Sequence, residues 1–312
     1  MTPDACILCI SFFMEVEMKN PVFRGAATAL ITPMNENGVD YEAFGRLIDW
    51  QIEEGIDALV ICGTTGEGPT LTDEEHCEVL RFAEERAAHR VPMIAGTGSN
   101  DTAYACHLTK HACELGYDAC LVVTPYYNKT TQKGLIAMYT AIADASTKPL
   151  ILYNVPSRTG INIEPSTMAV LAKHPNITAI KEASGNIGKC VEIAALCGNE
   201  ISMYSGNDDQ VVPLMSLGGD GVISVLSNLM PKETSEMCHK FFEGDTEGAL
   251  EMQLKYIPLI QALFCETNPI PVRRAMAEMG FGKNILRLPL VPMEEAHAEV
   301  LLNEMRKLSL ID

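Results

Sequence analysis

Cationic side chains are scarce in this sequence. Lys and Arg number 23 against 41 Asp and Glu, a formal net charge of −18 over 312 residues. A surface that acidic repels phosphate backbones and anionic lipid, which argues against nucleic-acid and membrane-surface partners. It leaves room for a small anionic ligand at a local cationic site. Long apolar runs are missing too, since none approaches the ~18 residues of a membrane span. The apolar patch at residues 5–13 is preceded by Asp4 and by no Lys or Arg, so it lacks the basic region of a signal peptide. No disulfide framework shows. The cysteines number eleven, an odd count, and are scattered through apolar and helix-like stretches, the pattern of reduced thiols in the cytoplasm. Linkers rich in Pro, Gly or Ser, low-complexity tracts and repeats of solenoid period are absent.

What is present is ordinary globular material: 47% apolar and 21% charged residues, ample for a core. From Gly25 onward, short apolar or β-branched runs alternate with stretches at helical spacing. Strands are expected at 26–32, 58–62, 92–96, 120–124, 150–154, 177–181, 203–205 and 222–225. Helices are expected near 42–54, 73–87, 101–115, 133–146, 165–173, 187–197 and 208–216. The alternation runs without a hairpin signal, which reads as βαβ units on a parallel sheet. Thr72 and Glu75 have capping-box spacing, and Gly116 stands where a helix-ending glycine belongs. Eight such units in about 200 residues suit a closed (β/α)8 barrel. The rival, a doubly wound open sheet, usually carries a glycine-rich loop after its first strand, and residues 29–35 contain no glycine. After Ser227 the strand runs stop. Asn268 and Pro269 read as the N-cap and first residue of a late helix that Gly280 closes. The expected organisation is an α/β (β/α)8 TIM barrel over 21–230 with a C-terminal helical region over 231–312. Residues 1–20 read as a loosely docked extension, with Met18 beginning a more ordinary opening.

In a barrel, function gathers at the C-terminal ends of the strands. Those ends hold Gly63-Thr64-Thr65-Gly66-Glu67-Gly68, Thr124-Pro125-Tyr126-Tyr127-Asn128, Tyr153 with Asn154 to Gly160, Lys181, and Ser205-Gly206-Asn207. Lys181 emerges from an apolar strand, and period-2 alternation sets it opposite Glu182. Inside a barrel, with no carboxylate at contact distance, its amine is desolvated and its pKa falls. A neutral amine attacks carbonyls to form a Schiff base. The strand alone equally allows a snorkelling strand-end charge. Lys129, in a polar loop, stays hydrated and is the weaker nucleophile. Tyr153 lies one strand from Lys181, and Thr64 and Tyr127 could link it to solvent as a proton relay. Its other reading is a core aromatic with a satisfied hydroxyl. The 63–68 loop could cradle phosphate, but it lacks the P-loop lysine and Glu67 would repel the anion. A small carboxylate on the Thr65 hydroxyl is preferred, with Arg158 holding a second carboxylate through its planar fork or standing as a surface charge. No metal site is assigned. His107 and His111 are i, i+4 beside Cys106 and Cys113, but no third-ligand motif follows. Cys6-x-x-Cys9 is a lone CxxC without a second half.

These motifs, together with Ile180-Lys181-Glu182-Ala183 and Gly221-Val222-Ile223-Ser224, occur in order. From Phe23 to the C-terminus the chain resembles the 4-hydroxy-tetrahydrodipicolinate synthase (dihydrodipicolinate synthase) family, within the pyruvate-dependent class I aldolase superfamily. The resemblance implies a lyase of the lysine (diaminopimelate) pathway that condenses pyruvate with L-aspartate-4-semialdehyde. No cofactor is implied beyond the Schiff base itself, and the implied assembly is a cytoplasmic homotetramer, a dimer of dimers. By the match, Lys181 forms the Schiff base. Tyr153, Thr64 and Tyr127 form the relay, with Tyr127 reaching in from a neighbouring subunit. Thr65, with backbone at Gly206 and Ile223, binds the pyruvate carboxylate, and Arg158 binds that of the semialdehyde. Lysine-inhibited members place an acidic side chain at the position of Tyr104, near residues matching His76 and Asn100. Its loss here implies weak feedback by lysine. Alternatives are another pyruvate aldolase, such as N-acetylneuraminate lyase or a keto-deoxy-sugar acid aldolase, or a non-catalytic regulator that binds a small acid.

Overall fold

The structure, a computed structural model, describes residues 21–312. The extension at 1–20 and its CxxC lie outside the described residues. Eight strands follow in chain order: β1 (Gly25–Ala29), β2 (Ala58–Ile61), β3 (Met93–Gly96), β4 (Ala119–Val123), β5 (Leu150–Asn154), β6 (Ile177–Glu182), β7 (Ser202–Ser205) and β8 (Gly221–Ser224). Each pairs in parallel with its sequence neighbour, and β8 pairs with β1, so the sheet closes on itself. Helices α1 (Tyr41–Glu53), α2 (Asp73–Ala87), α3 (Thr102–Leu115), α4 (Gln132–Asp144), α5 (Pro165–Leu171), α6 (Ile187–Cys197), α7 (Val211–Met215) and α8 (Pro231–Phe242) follow the strands in turn. All eight expected strands and all seven expected helices form. The chain is a (β/α)8 barrel with added C-terminal helices.

The strands form where they do because both of their faces are buried. On β5, Leu150 and Leu152 face the outer core under the helices, while Ile151 and Tyr153 face the barrel interior. Alanines fill much of that interior, among them Ala27, Ala58, Ala119 and Ala179, as its narrow bore requires. Phe23 stacks on Tyr204 with ring centroids 4.3 Å apart and closes the end opposite the β-strand C-termini. Helices α1, α2, α3, α4 and α6 start on side-chain caps. The Thr72–Glu75 capping box is complete, and Asp101 accepts from Ala103 N and Tyr104 N to open α3. Gly116 ends α3 at φ +101, a left-handed value that a Cβ would disfavour.

Two expectations need correction. A two-residue antiparallel pair, Met34–Asn35 with Gly38–Val39, follows β1, so a hairpin does exist. Its strands are too short for a period-2 signal, although Asn37-Gly38 was its local mark. Asn268 does not cap the late helix. The capping position is Pro269, with no side-chain cap bond, and Asn268 turns inward instead. Gly280 does follow the end of that helix, at φ +85.

Beyond α8 lie α9 (Thr246–Leu263), α10 (Ile270–Glu278) and α11 (Glu295–Lys307). We draw the barrel through α8, because α8 packs on β1 and serves as the eighth barrel helix. The added helices grip the barrel by buried polar contacts. Gln253 of α9 accepts from Val211 N and Val212 N and donates to the Asp208 carbonyl. Arg273 of α10, 1% exposed, donates to the Thr32 carbonyl at 2.6 Å and faces Glu67 at 3.5 Å. Among the described residues, no helix is long and apolar enough to cross a membrane.

Candidate active site

The loops over the C-terminal mouth enclose a cavity of about 740 Å³, lined by Thr64, Thr65, Tyr153, Arg158, Lys181 and Gly206. Barrel register sets Tyr153, Lys181 and Tyr204 side by side on β5, β6 and β7. Lys181 points inward and is only 5% exposed. Glu182, one residue on, takes the opposite face, where it accepts from Asn154 Nδ2 at 2.8 Å. Alternation along β6 therefore separates the amine from the adjacent carboxylate. Burial lowers the Lys181 pKa from 10.5 to about 8. Asp208 pulls it back up and Arg158 pushes it further down. Asp208 is itself buried, and its carboxylate accepts from Val225 N and Leu226 N, each at 3.0 Å. The Lys181 Nζ stands 4.4 Å from the Tyr153 ring centroid.

Gly206 makes room for this lysine. A Cβ there would lie 2.6 Å from Ala183 Cβ and 3.0 Å from Lys181 Cε, so any side chain would push on the amine-bearing stem. The Gly206 N–H is already spent on the Glu182 carbonyl at 2.8 Å, which leaves the Gly206 carbonyl for a ligand.

Tyr153 is 92% removed from solvent, with an exposure of 8%. Burial raises its pKa, while Arg158 and a hydrogen bond with Thr64 partly oppose the rise. Thr64 lies beside Tyr153 in the cavity lining, but desolvation of the phenol outweighs its influence. With its pKa raised above 10, Tyr153 is a neutral phenol at neutral pH, not a standing phenolate.

The two carboxylate-binding candidates share one support. Asn268 Nδ2 donates to Thr65 Oγ1 at 3.0 Å, and the Asn268 carbonyl accepts from Arg158 Nη2 at 2.9 Å. Because the Thr65 oxygen accepts from Asn268, its own O–H is free to donate elsewhere. One residue of the C-terminal region thus aims both groups. The loop carrying Thr64 and Thr65 is braced from behind. Glu67, at φ 55 and 2% exposed, turns away from the cavity toward Arg273 and accepts from Arg287 N at 3.2 Å. Its carboxylate therefore does not face a ligand in this loop. Burial raises the Glu67 pKa and the Arg273 charge pulls it down.

Of the remaining candidates, Tyr127 stands apart. It is 92% exposed at φ 68 on the loop after β4 and is not among the residues lining the cavity. Ile223 is fully buried in the barrel interior, paired in register with Ala27, and the lining at that strand end comes from Val225. Lys129 is exposed. A second cavity of about 370 Å³ shares Thr64, Tyr153 and Arg158 with the first and is walled by His76, Tyr104 and Tyr126.

Three participants were not picked out from the sequence. Asp208 follows β7 in a run that read only as helix. Asn268 read as a helix cap. Arg273 carried no motif. Composition offered one hint, since a buried Arg needs a partner and Glu67 sits in the same loop as the predicted Thr pair.

Residues 22–307 match the family described as Dihydrodipicolinate synthetase family. The 4-hydroxy-tetrahydrodipicolinate synthase of Lachnoclostridium phytofermentans is 56% identical over 292 residues, 93% of this chain and 99% of that protein. The crystal structure of dihydrodipicolinate synthase from Aquifex aeolicus superposes with a TM-score of 0.91 at 46% identity, covering 92% of this chain and 99% of that one. The chloride-inhibited enzyme from Acinetobacter baumannii, complexed with pyruvate, superposes with a TM-score of 0.90 at 44% identity, covering 92% and 99%. With its eight-stranded barrel, its C-terminal helices and nearly its whole length accounted for, the chain belongs to the dihydrodipicolinate synthetase family.

Proposed function

We propose that this chain condenses pyruvate with L-aspartate-4-semialdehyde to give 4-hydroxy-tetrahydrodipicolinate, a step of lysine (diaminopimelate) biosynthesis in the cytoplasm. The observation that carries the reading is Lys181, a buried amine at the barrel mouth with its pKa held at about 8 beside Tyr153. Neutral Lys181 attacks the keto carbon of pyruvate, and water leaves as the imine forms. Loss of a methyl proton gives the enamine, whose carbon attacks the aldehyde of the second substrate. Tyr153 and Thr64 carry these protons. The amino group of the semialdehyde then displaces Lys181 from the imine carbon and closes the ring. Two substrates become one product and one water, so atoms and electrons balance with no added cofactor.

Thr65 holds the pyruvate carboxylate through its O–H, with backbone at Gly206 and at Ile223 of β8 lying beside the substrate; the Gly206 carbonyl, an acceptor, is left for a donor and not for the carboxylate. Arg158, at the outer rim, holds the carboxylate of the semialdehyde. We assign Tyr127 to the relay of a neighbouring copy in a homotetramer. Its exposure and its absence from the cavity lining of its own chain support that role. Cys62, Cys77, Cys106, Cys113, Cys120, Cys190, Cys238 and Cys265 are free thiols, which supports a reducing compartment.

Pyruvate consumption by the purified chain tests the reading, with L-aspartate-4-semialdehyde in one tube and N-acetylmannosamine in another. Turnover with the semialdehyde alone is expected. Turnover with the sugar alone would keep Lys181 and the barrel but overturn the lysine-pathway assignment.

A further inference from the structure

We propose that the groove between α2 and α3 binds a borderline-soft divalent cation, zinc above all, through Asp73, Cys77 and His107. Asp73 and Cys77 are i, i+4 on α2 and so share one face of the helix. His107 reaches across from α3, with Nε2 3.9 Å from Asp73 Oδ2. One ligand atom from each residue lies within 4.8 Å of the other two. Zinc bonds of about 2.0–2.3 Å set tetrahedral ligands roughly 3.3–3.8 Å apart. The three side chains therefore need to close by about 1 Å, a rotamer adjustment for exposed Asp73 and His107 and half-buried Cys77. A thiolate, an imidazole and a single carboxylate suit zinc and disfavour magnesium or calcium, which take oxygen ligands. Water completes the fourth position.

The ligands are already oriented. Tyr104, one turn before His107 on α3, donates its hydroxyl to Asp73 Oδ1 at 2.8 Å, which leaves Oδ2 facing His107. Such an outer partner fixes a ligating carboxylate. The Tyr104 and His107 rings stack with centroids 6.2 Å apart. Burial, Asp73 and Glu74 raise the Cys77 pKa. The negative charge that opposes the lone thiolate therefore favours a dication, and binding releases the thiol proton to solvent. This set differs from the histidine–cysteine grouping suggested by sequence. Cys106 turns toward the Ala141 carbonyl at 3.7 Å and Cys113 toward Ser146 at 3.5 Å, away from His107. A bound ion would tie α2 to α3 at the outer edge of the cavity that Tyr104 and His76 share with Thr64 and Tyr153.

The test is titration of the full purified chain with zinc chloride against a chromophoric chelator, alongside Cys77→Ser, His107→Ala and Tyr104→Phe. One ion per chain is expected. Cys77→Ser and His107→Ala should each weaken it roughly tenfold or more, and Tyr104→Phe by a smaller factor. On the wild-type protein, zinc but not magnesium should slow alkylation of Cys77 by iodoacetamide, mapped by mass spectrometry, while exposed Cys265 keeps its rate. The proposal is overturned if the chain takes up no zinc, if both ligand variants bind it as tightly as wild type, or if zinc leaves Cys77 alkylation unchanged. None of these readouts depends on the condensation activity.

Discussion

Replacing Lys181 with methionine should make the protein inactive and more stable. Burial holds the Lys181 pKa at about 8 instead of 10.5, and each unit corresponds to about 1.4 kcal/mol. The charged amine thus costs the fold about 3 kcal/mol wherever it is protonated in both states. The sign follows from linkage, because the folded pKa lies below the unfolded one. The penalty is fully present below pH 8, shrinks between pH 8 and 10.5 as the folded protein sheds its proton first, and vanishes above that. Methionine has a similar length, carries no charge and makes a favourable sulfur contact with the Tyr153 ring. It forfeits the cation–π attraction of the Nζ for that ring, about 0.5–2 kcal/mol. Lys181→Met should therefore gain about 1–3 kcal/mol at pH 7, a rise of a few degrees in melting temperature. The assay is calorimetry from pH 7 to 10.5 at matched protomer concentration, since assembly shifts apparent stability. A variant no more stable than wild type at pH 7, or a gain that does not shrink with rising pH, would refute the reasoning.

Other outcomes follow from the same geometry. Borohydride trapping of pyruvate should accelerate from pH 6 to about 8 and then level off, because the neutral Lys181 fraction grows about tenfold per unit below its pKa of about 8. A flat profile would show that the amine is not limiting. Asn268→Ala removes the donor to Thr65, so KM for pyruvate should rise roughly three- to tenfold. Steady-state kinetics in both substrates would read this, and an unchanged KM would remove Asn268 from the site. Inhibition by lysine should be weak, because Tyr104 supplies no carboxylate and its hydroxyl is engaged by Asp73. A sub-millimolar inhibition constant would contradict it.

The barrel was legible because each strand is buried on both faces and so reads as a short apolar run. Ile177 to Ile180 and Leu150 to Leu152 are of this kind, with turns of Gly, Asn and Ser between them. Lys181 was legible for the converse reason, as a charge at the end of such a run. The two-residue hairpin after β1 is shorter than any periodicity can register. Asn268 escaped because its partners, Thr65 and Arg158, are 203 and 110 residues away. The dipeptide Asn-Pro also mimics a helix start when read alone. Asp73, Cys77 and His107 escaped because their convergence depends on how two helices pack, and spacing within either helix is silent on that. Tyr127 was named as a link from Tyr153 to solvent, and only the resemblance set it in a neighbouring subunit; in a single chain it is 92% exposed and lies outside the cavity lining.

The central claim is that the buried amine of Lys181 is the nucleophile. The most direct test is to incubate the purified chain with pyruvate, reduce with borohydride, and map the adduct by peptide mass spectrometry. The account predicts one reduced adduct per chain, on Lys181, absent in Lys181→Met and retained in Arg158→Ala. An adduct on Lys129 or another exposed lysine, or none at all, would contradict it.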